Sequence, residues 1–154
     1  MALFILFRLG SDPYAIDASQ VVRVIPLAKL KEFLQAPPGI AGLLDLHGAP
    51  VPVVDLSLCA TGIPCRQRLT TRIILVNYSS PVGERLLGIM AEGACRAEKL
   101  DPERFVSPGI DPGEARFLGP VLERDGELIQ RIEVANLLTP EVAARLYTQE
   151  NKHE

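Results

Sequence analysis

Gly42-Leu-Leu-Asp-Leu-His-Gly-Ala-Pro-Val-Pro-Val-Val-Asp-Leu56 is the stretch that decides how this chain folds. Apolar residues alternate into Asp45 and His47, break at Gly48-Ala49-Pro50 and resume at Val51, which writes two short strands joined by a tight turn. A strand turns successive side chains to opposite faces, so Asp45 and His47 are expected on one face. The hairpin should therefore carry a polar outer side.

The same punctuation continues on both sides of this stretch. Thirteen prolines and twelve glycines separate short apolar runs, the pattern of an all-β chain built as a small barrel or sandwich. Leu3 to Leu9 reads as a first strand, Gly10-Ser-Asp-Pro13 as a turn and Tyr14 to Asp17 as the returning strand. Ser19 to Val22 is expected to make a helical turn before the run Arg23-Val-Ile25, which Pro26 ends. Leu27 to Pro38 reads as an irregular or partly helical surface connection. Leu56 to Ala60 reads as one helical turn, and Thr61 to Thr71, lacking an apolar period, as a mobile loop. Arg72 to Tyr78 and Arg85 to Met90 are two strands buried on both faces and joined by a six-residue polar loop. Asp101 to Gly119 is read as loop with a short helical turn. Phe117 to Leu122 and Glu127 to Val134 form a hairpin around Asp125-Gly126, which supplies the positive φ angles a two-residue turn needs. Thr139-Pro140-Glu141 opens a C-terminal helix, with Thr as cap and Glu at the positive dipole end. Val142, Ala143, Leu146 and Tyr147 share its apolar face, and Gln149 to Glu154 should fray.

At 154 residues and 47% hydrophobic, the chain is long enough to bury a core without staples. We expect residues 1–150 to form a single domain of two intimately packed subdomains, with 151–154 as a frayed tail. A net charge of -3 with scattered basic residues leaves no footprint for nucleic acid. The apolar start, Met1 to Leu9, lacks a basic leading region and a cleavage site, so it reads as a buried strand and not as a targeting signal. No apolar run reaches membrane length, so no direct membrane insertion is expected. Cys59, Cys65 and Cys95 form neither a disulfide framework nor a zinc spacing, which fits a reducing cytoplasm. Of these, Cys59 is expected to be a small core residue and Cys65 an incidental loop thiol.

Asp45, His47 and Asp55 are close enough in sequence to suggest an acid/base set. A productive set also needs a nucleophile or a metal, and no Gly-x-Ser-x-Gly, phosphate-binding glycine loop or His-Glu-x-x-His motif supplies one. With His153 in the tail, His47 is the one histidine of the body, and a single imidazole makes no metal site. No catalytic residue, metal or cofactor is expected. What remains is recognition of other proteins by exposed strand edges and faces.

Several segments carry a resemblance. Gly42 to Leu56 resembles the signature of the CheW-like chemotaxis coupling proteins, a Gly-x-x-Asn-Leu-Arg-Gly run followed by Val-Pro-Val-Val-Asp-Leu. Phe7-Arg-Leu-Gly10 with Tyr14-Ala-Ile-Asp17, Gln20-Val-Val-Arg-Val24, Leu87-Gly-Ile-Met-Ala-Glu-Gly93 and Val134-Ala-Asn-Leu-Leu138 resemble further family segments, in the same order. The resemblance implies an all-β fold of two small five-stranded SH3-like barrels packed together, with short helices including the C-terminal one. It implies a non-catalytic adaptor that couples the cytoplasmic tip of chemoreceptors to the regulatory domain of a CheA-type histidine kinase. Such a protein is cytoplasmic, recruited to membrane receptor arrays, and able to meet itself or other CheW-like proteins in array rings. The rival readings are a module of the same fold with a different protein partner, and a small ligand-binding or enzymatic β-barrel.

By this resemblance the receptor groove is lined by Val21, Arg23, Val24, Asp45, His47 and Gly48. Three departures fall there: Asp45 replaces the family's Asn, His47 its Arg, and Arg23 its Glu. A salt bridge between Arg23 and Asp45, with the charges swapped, is the expected compensation. Gln130 and Arg131 stand where the family strand is apolar, which suggests a sheet edge or an altered kinase-facing surface. Together these changes imply a coupler for a specialised array serving surface sensing, motility or second-messenger output instead of swimming.

Overall fold

The computed structural model describes residues 1–148, except for the Ala94 side chain. The expected fraying of 149–154 lies outside the described residues. The chain begins with β1 (Ala2–Leu9) and β2 (Asp12–Asp17), paired antiparallel through a turn at Gly10, whose φ is +63°. A 3-10 turn over Ala18–Gln20, capped by the Asp17 carboxylate on the Ser19 N–H at 2.9 Å, leads into β3 (Val21–Pro26). The central hairpin is β4 (Ile40–Leu46) and β5 (Ala49–Asp55), followed directly by α1 (Leu56–Thr61). Next come β6 (Arg72–Ser80) and β7 (Gly83–Leu100), then β8 (Leu118–Arg124), β9 (Glu127–Ile132) and α2 (Pro140–Leu146).

The strands do not close into two five-stranded barrels. They form one nine-stranded, mostly antiparallel sheet with main path β3-β6-β7-β1-β2-β9-β8, from which β5 branches off β7 and carries β4. The 18-residue β7 is the reason the halves are continuous. Its first part pairs with β6 and, in parallel, with β5 through Val53 to Asp55; its second part pairs with β1. Between them the register shifts opposite Leu6 and Arg8, where Gly93 takes a φ of +75° that only glycine adopts cheaply.

Loop segments occupy the edges that closure would need. Lys31 exchanges two backbone hydrogen bonds with Leu43 on β4, at 2.8 and 2.9 Å, and Val106 does the same with Val121 on β8, both at 2.8 Å. Across the gap between β8 and β7 the contact is an ion pair, Arg124 with Glu98, and not a strand ladder.

The core follows this plan. One cluster, including Phe7, Ile16, Leu56, Ile74, Leu87 and Ile132, lies between the halves and is covered by Ala143 and Tyr147 of α2. A second fills the half built on β3 to β7 around Leu44, Val53, Ile73 and Met90, and a third fills the other half around Phe4, Leu122 and Ile129. Thr139 caps α2 by accepting the Val142 N–H at 3.2 Å, and Tyr147 donates its hydroxyl to the Leu86 carbonyl at 2.8 Å. The Asp125-Gly126 turn forms as expected, with φ of 52° and 83°. The β6–β7 connection is tighter than six residues: Ser80 pairs with Gly83, leaving only Pro81 and Val82 in the turn. No helix among the described residues is long and apolar enough to cross a membrane.

Candidate partner-binding surfaces

β3 pairs on one side only, with β6, so its outer edge is free of ladder hydrogen bonds. Val21 and Val24 are half-buried, and Arg23 is exposed. A register shift between Val21 and Arg23 leaves Val22 unpaired against β6, and Val22 is 49% exposed. This short edge therefore offers an apolar side chain beside a cation.

The hairpin differs from its expected form by one register step. Leu46 pairs with Ala49, so the turn is His47-Gly48, with φ of 53° and 89°, and not Gly48-Ala49-Pro50. Two successive positive φ values match the twist of the flanking strands. His47 is therefore a turn residue and does not share a strand face with Asp45. The Asp45 carboxylate folds back to accept the Gly48 N–H at 2.7 Å. The Arg23–Asp45 salt bridge is not formed: Asp45 is occupied by its own turn, and Arg23 joins no ion pair among the described residues.

β3 and β4 are the two ends of the series β3-β6-β7-β5-β4, so the six groove residues lie on opposite edges of one half. That half curls about the second core cluster. Ile25 from β3, Leu27 and Leu30 from the connection and Leu44 and Leu46 from β4 all pack into it.

Gln130 and Arg131 do not mark an edge, because β9 lies between β2 and β8. Both are half-buried and have partners within the chain. The Gln130 amide donates to the Gly119 carbonyl at 3.0 Å, across the register shift between β8 and β9. Arg131 sits 5.3 Å above the Phe4 ring and 3.5 Å from the Asp17 carboxylate.

The imagined acid/base set is pulled apart. Asp45 and His47 stand at the turn, while Asp55 closes the far end of β5 and caps α1 by accepting the Leu58 N–H at 3.0 Å. Asp55 also accepts the Cys65 N–H with both carboxylate oxygens, at 3.2 and 3.0 Å. Cys65 is thereby buried at 6% exposure, not an incidental loop thiol, whereas Cys59 is only partly buried against the central cluster. Burial, with Asp55 and Glu92 adding to it, pushes the Cys65 thiol up to about 12.

The loop from Gly62 to Thr71 is likewise not left free. Glu92 accepts the Arg66 N–H and the Gly10 N–H, both at 2.7 Å, and Thr71 accepts the Arg68 N–H at 2.9 Å. The Asp-Leu-Ser start of α1 is an N-cap signal legible in the sequence, but the reach of Asp55 and Glu92 to the loop is not.

Among the described residues no group of three or more His, Cys, Asp or Glu is arranged to hold a metal ion. Two shallow clefts are present. One, of about 180 Å³, lies over Leu6 and Phe7 with Arg8, Arg96, Arg124 and Glu127 at its rim; the other, of about 300 Å³, lies beneath Leu27 and Leu30.

Residues 3–141 match the model of the CheW-like domain. The chemotaxis protein CheW of Klebsiella aerogenes is 26% identical over 102 residues, 66% of this chain, and the match spans 59% of that relative's length. The crystal structure of the scaffolding protein TtCheW from Thermoanaerobacter tengcongensis shares the fold with a TM-score of 0.78 at 23% identity, covering 92% of this chain and 90% of that one. With the family match running from β1 into α2, the chain belongs to the CheW-like domain family.

Proposed function

We propose that this protein is the coupler between chemoreceptors and a sensor histidine kinase of the CheA type, joining them without catalysing a reaction itself. Membership of the CheW-like family supports the scaffold role, and the free outer edge of β3 is the observation that carries the receptor contact. A receptor tip would meet Val21, Arg23 and Val24 on that edge, with Asp45, His47 and Gly48 presented from the hairpin at the other edge of the same curled half. Ile25, Leu44 and Leu46 tie the two edges to one core cluster, which supports their acting as a single surface. The kinase regulatory domain would use the opposite half, where Gln130 and Arg131 hold β9 in place by their bonds to Gly119 and Asp17. In this reading residues 1–150 act as one unit, and the protein works in the cytoplasm at receptor arrays, where further copies or related chains can join its rings.

The test is reconstitution. The purified chain is mixed with receptor signalling fragments and kinase, and complex formation and the kinase phosphorylation rate are measured. We expect a ternary complex and a changed rate. If neither changes at micromolar protein, the coupling role fails.

A further inference from the structure

Between Asp55 and Glu84 the sequence contains no acidic residue, yet it carries Arg66, Arg68 and Arg72, in a chain whose net charge is -3. The structure gathers these arginines on the loop that follows α1. At the tip of that loop Leu69 is 97% exposed, and Ile63, on its near arm, is 64% exposed. Binding residues are disproportionately placed on loops held by a rigid scaffold. Here the loop backbone is pinned on both arms by side-chain hydrogen bonds.

Three buried or half-buried side chains make the hold. Asp55 fixes Cys65, Glu92 fixes the Arg66 N–H, and the Thr71 hydroxyl, 1% exposed as a residue, donates to the Arg66 carbonyl while accepting the Arg68 N–H. A turn closes over Leu69 through the Thr71 N–H on the Arg68 carbonyl at 3.0 Å, and the Arg72 guanidinium braces it from the Leu69 carbonyl at 2.6 Å. The exposed Arg66 and Arg68 join no ion pair among the described residues. Glu92 feels the charges of Arg66 and Arg68, but its hydrogen bonds go to the backbone N–H groups of Gly10 and Arg66 and leave both guanidinium groups outside any ion pair among the described residues.

We propose that the Ile63–Arg72 loop is a preformed docking knob for an acidic protein surface, Leu69 entering an apolar recess and Arg66 and Arg68 meeting carboxylates around it. A leucine held at a fixed tip loses little conformational freedom on binding, which suits a shaped protein recess better than a fluid bilayer. The knob lies on α1–β6, outside the β3 and hairpin residues assigned to the receptor, and does not depend on that assignment.

The test uses the isotope-labelled full chain and a helical peptide of about 20 residues with leucines at i, i+3, i+4 spacing flanked by glutamates. A lysine-flanked twin of that peptide is the control. We expect amide shifts confined to residues 63–72 with the glutamate peptide alone, weakening as salt rises. R66E/R68E and L69S should each lower the affinity by about tenfold or more. Leu69 is exposed, so L69S should leave the thermal midpoint in place, which separates lost docking from lost folding. The proposal is overturned by absent shifts in the loop, by an equal response to the lysine twin, or by affinity unchanged in the variants. Binding to phosphatidylserine vesicles without any response to the peptide also overturns it.

Discussion

The Asp55 carboxylate joins the end of β5 to Cys65 at 3.0 and 3.2 Å while also capping α1 at Leu58. One side chain thus satisfies two elements that would otherwise leave N–H groups unpaired. Asp55→Ala removes an N-cap, which costs about 1 kcal/mol, and leaves the buried Cys65 N–H without an acceptor, which adds about 1–3 kcal/mol. Urea denaturation should show a loss of about 2 kcal/mol or more. Asp55→Asn keeps one acceptor oxygen and should cost less than the alanine variant. A loss below about 0.5 kcal/mol for Asp55→Ala would show that the loop is not held from this residue.

Glu92 gives the fold an acid sensitivity of known sign. Burial pushes its carboxyl upward, but the Arg66 and Gly10 N–H groups and the charges of Arg66 and Arg68 outweigh it, so it titrates below its ordinary 4.5. A value lower in the folded chain than in the unfolded one adds stability that is fully present above pH 4.5 and drains away as the pH falls through the folded value. Glu98, lowered by its hydrogen bond to Arg124 against the opposing effect of burial, acts in the same direction. Glu92→Gln should therefore be less stable than the parent at neutral pH and should lose less further stability on acidification. Thermal midpoints measured at neutral pH and below pH 4 would check it; parallel curves for the two proteins would refute it.

All three thiols should be slow to react in the folded protein. Burial pushes Cys65 up to about 12, aided by Asp55 and Glu92, and pushes Cys95 up to about 11 against the pull of Arg72. Cys59 is raised by burial and by Asp55. The thiolate is the reactive form, so at pH of about 8 alkylation should be slow in the folded chain and rapid in denaturant. Cys59 and Cys65 also pack into different core clusters, which argues against a redox pair. A fast-reacting thiol in the folded state would contradict the burial of that residue.

Local chemistry explains which parts of the fold were legible. Asp125-Gly126, Thr139-Pro140-Glu141 and the apolar alternation around the central hairpin each carry their own signal within a few residues. The second half of β7, Glu92 to Leu100, carries none: Glu, Gly, Arg and Lys interrupt it, and only pairing with β1 makes it a strand. The open sheet was illegible for the same reason. Whether β8 meets β7 through a ladder or through Arg124 and Glu98 depends on Val106 occupying its edge, a contact 15 residues removed in sequence. The hairpin of β4 and β5 was legible, but its turn was placed one residue late. That shift moved His47 off the strand and turned Asp45 from a partner of Arg23 into the acceptor for Gly48.

His47 offers a way to separate fold from recognition at that turn. It holds a φ of 53°, which costs a side chain without a local hydrogen-bonding group, and Gly48 follows at 89°. Asn-Gly is the preferred pair for two successive positive φ angles, so His47→Asn should raise stability by about 0.5–1 kcal/mol. His47→Val, β-branched at the same φ, should lower it by about 1 kcal/mol or more. If the imidazole contacts the receptor, His47→Asn will bind receptor fragments more weakly while melting higher. Opposite signs in the two measurements would tie His47 to recognition, because improved turn geometry alone cannot weaken a partner's hold. Unchanged receptor binding with a raised melting point would make His47 a turn residue and nothing more, and would leave the receptor contact to the β3 edge.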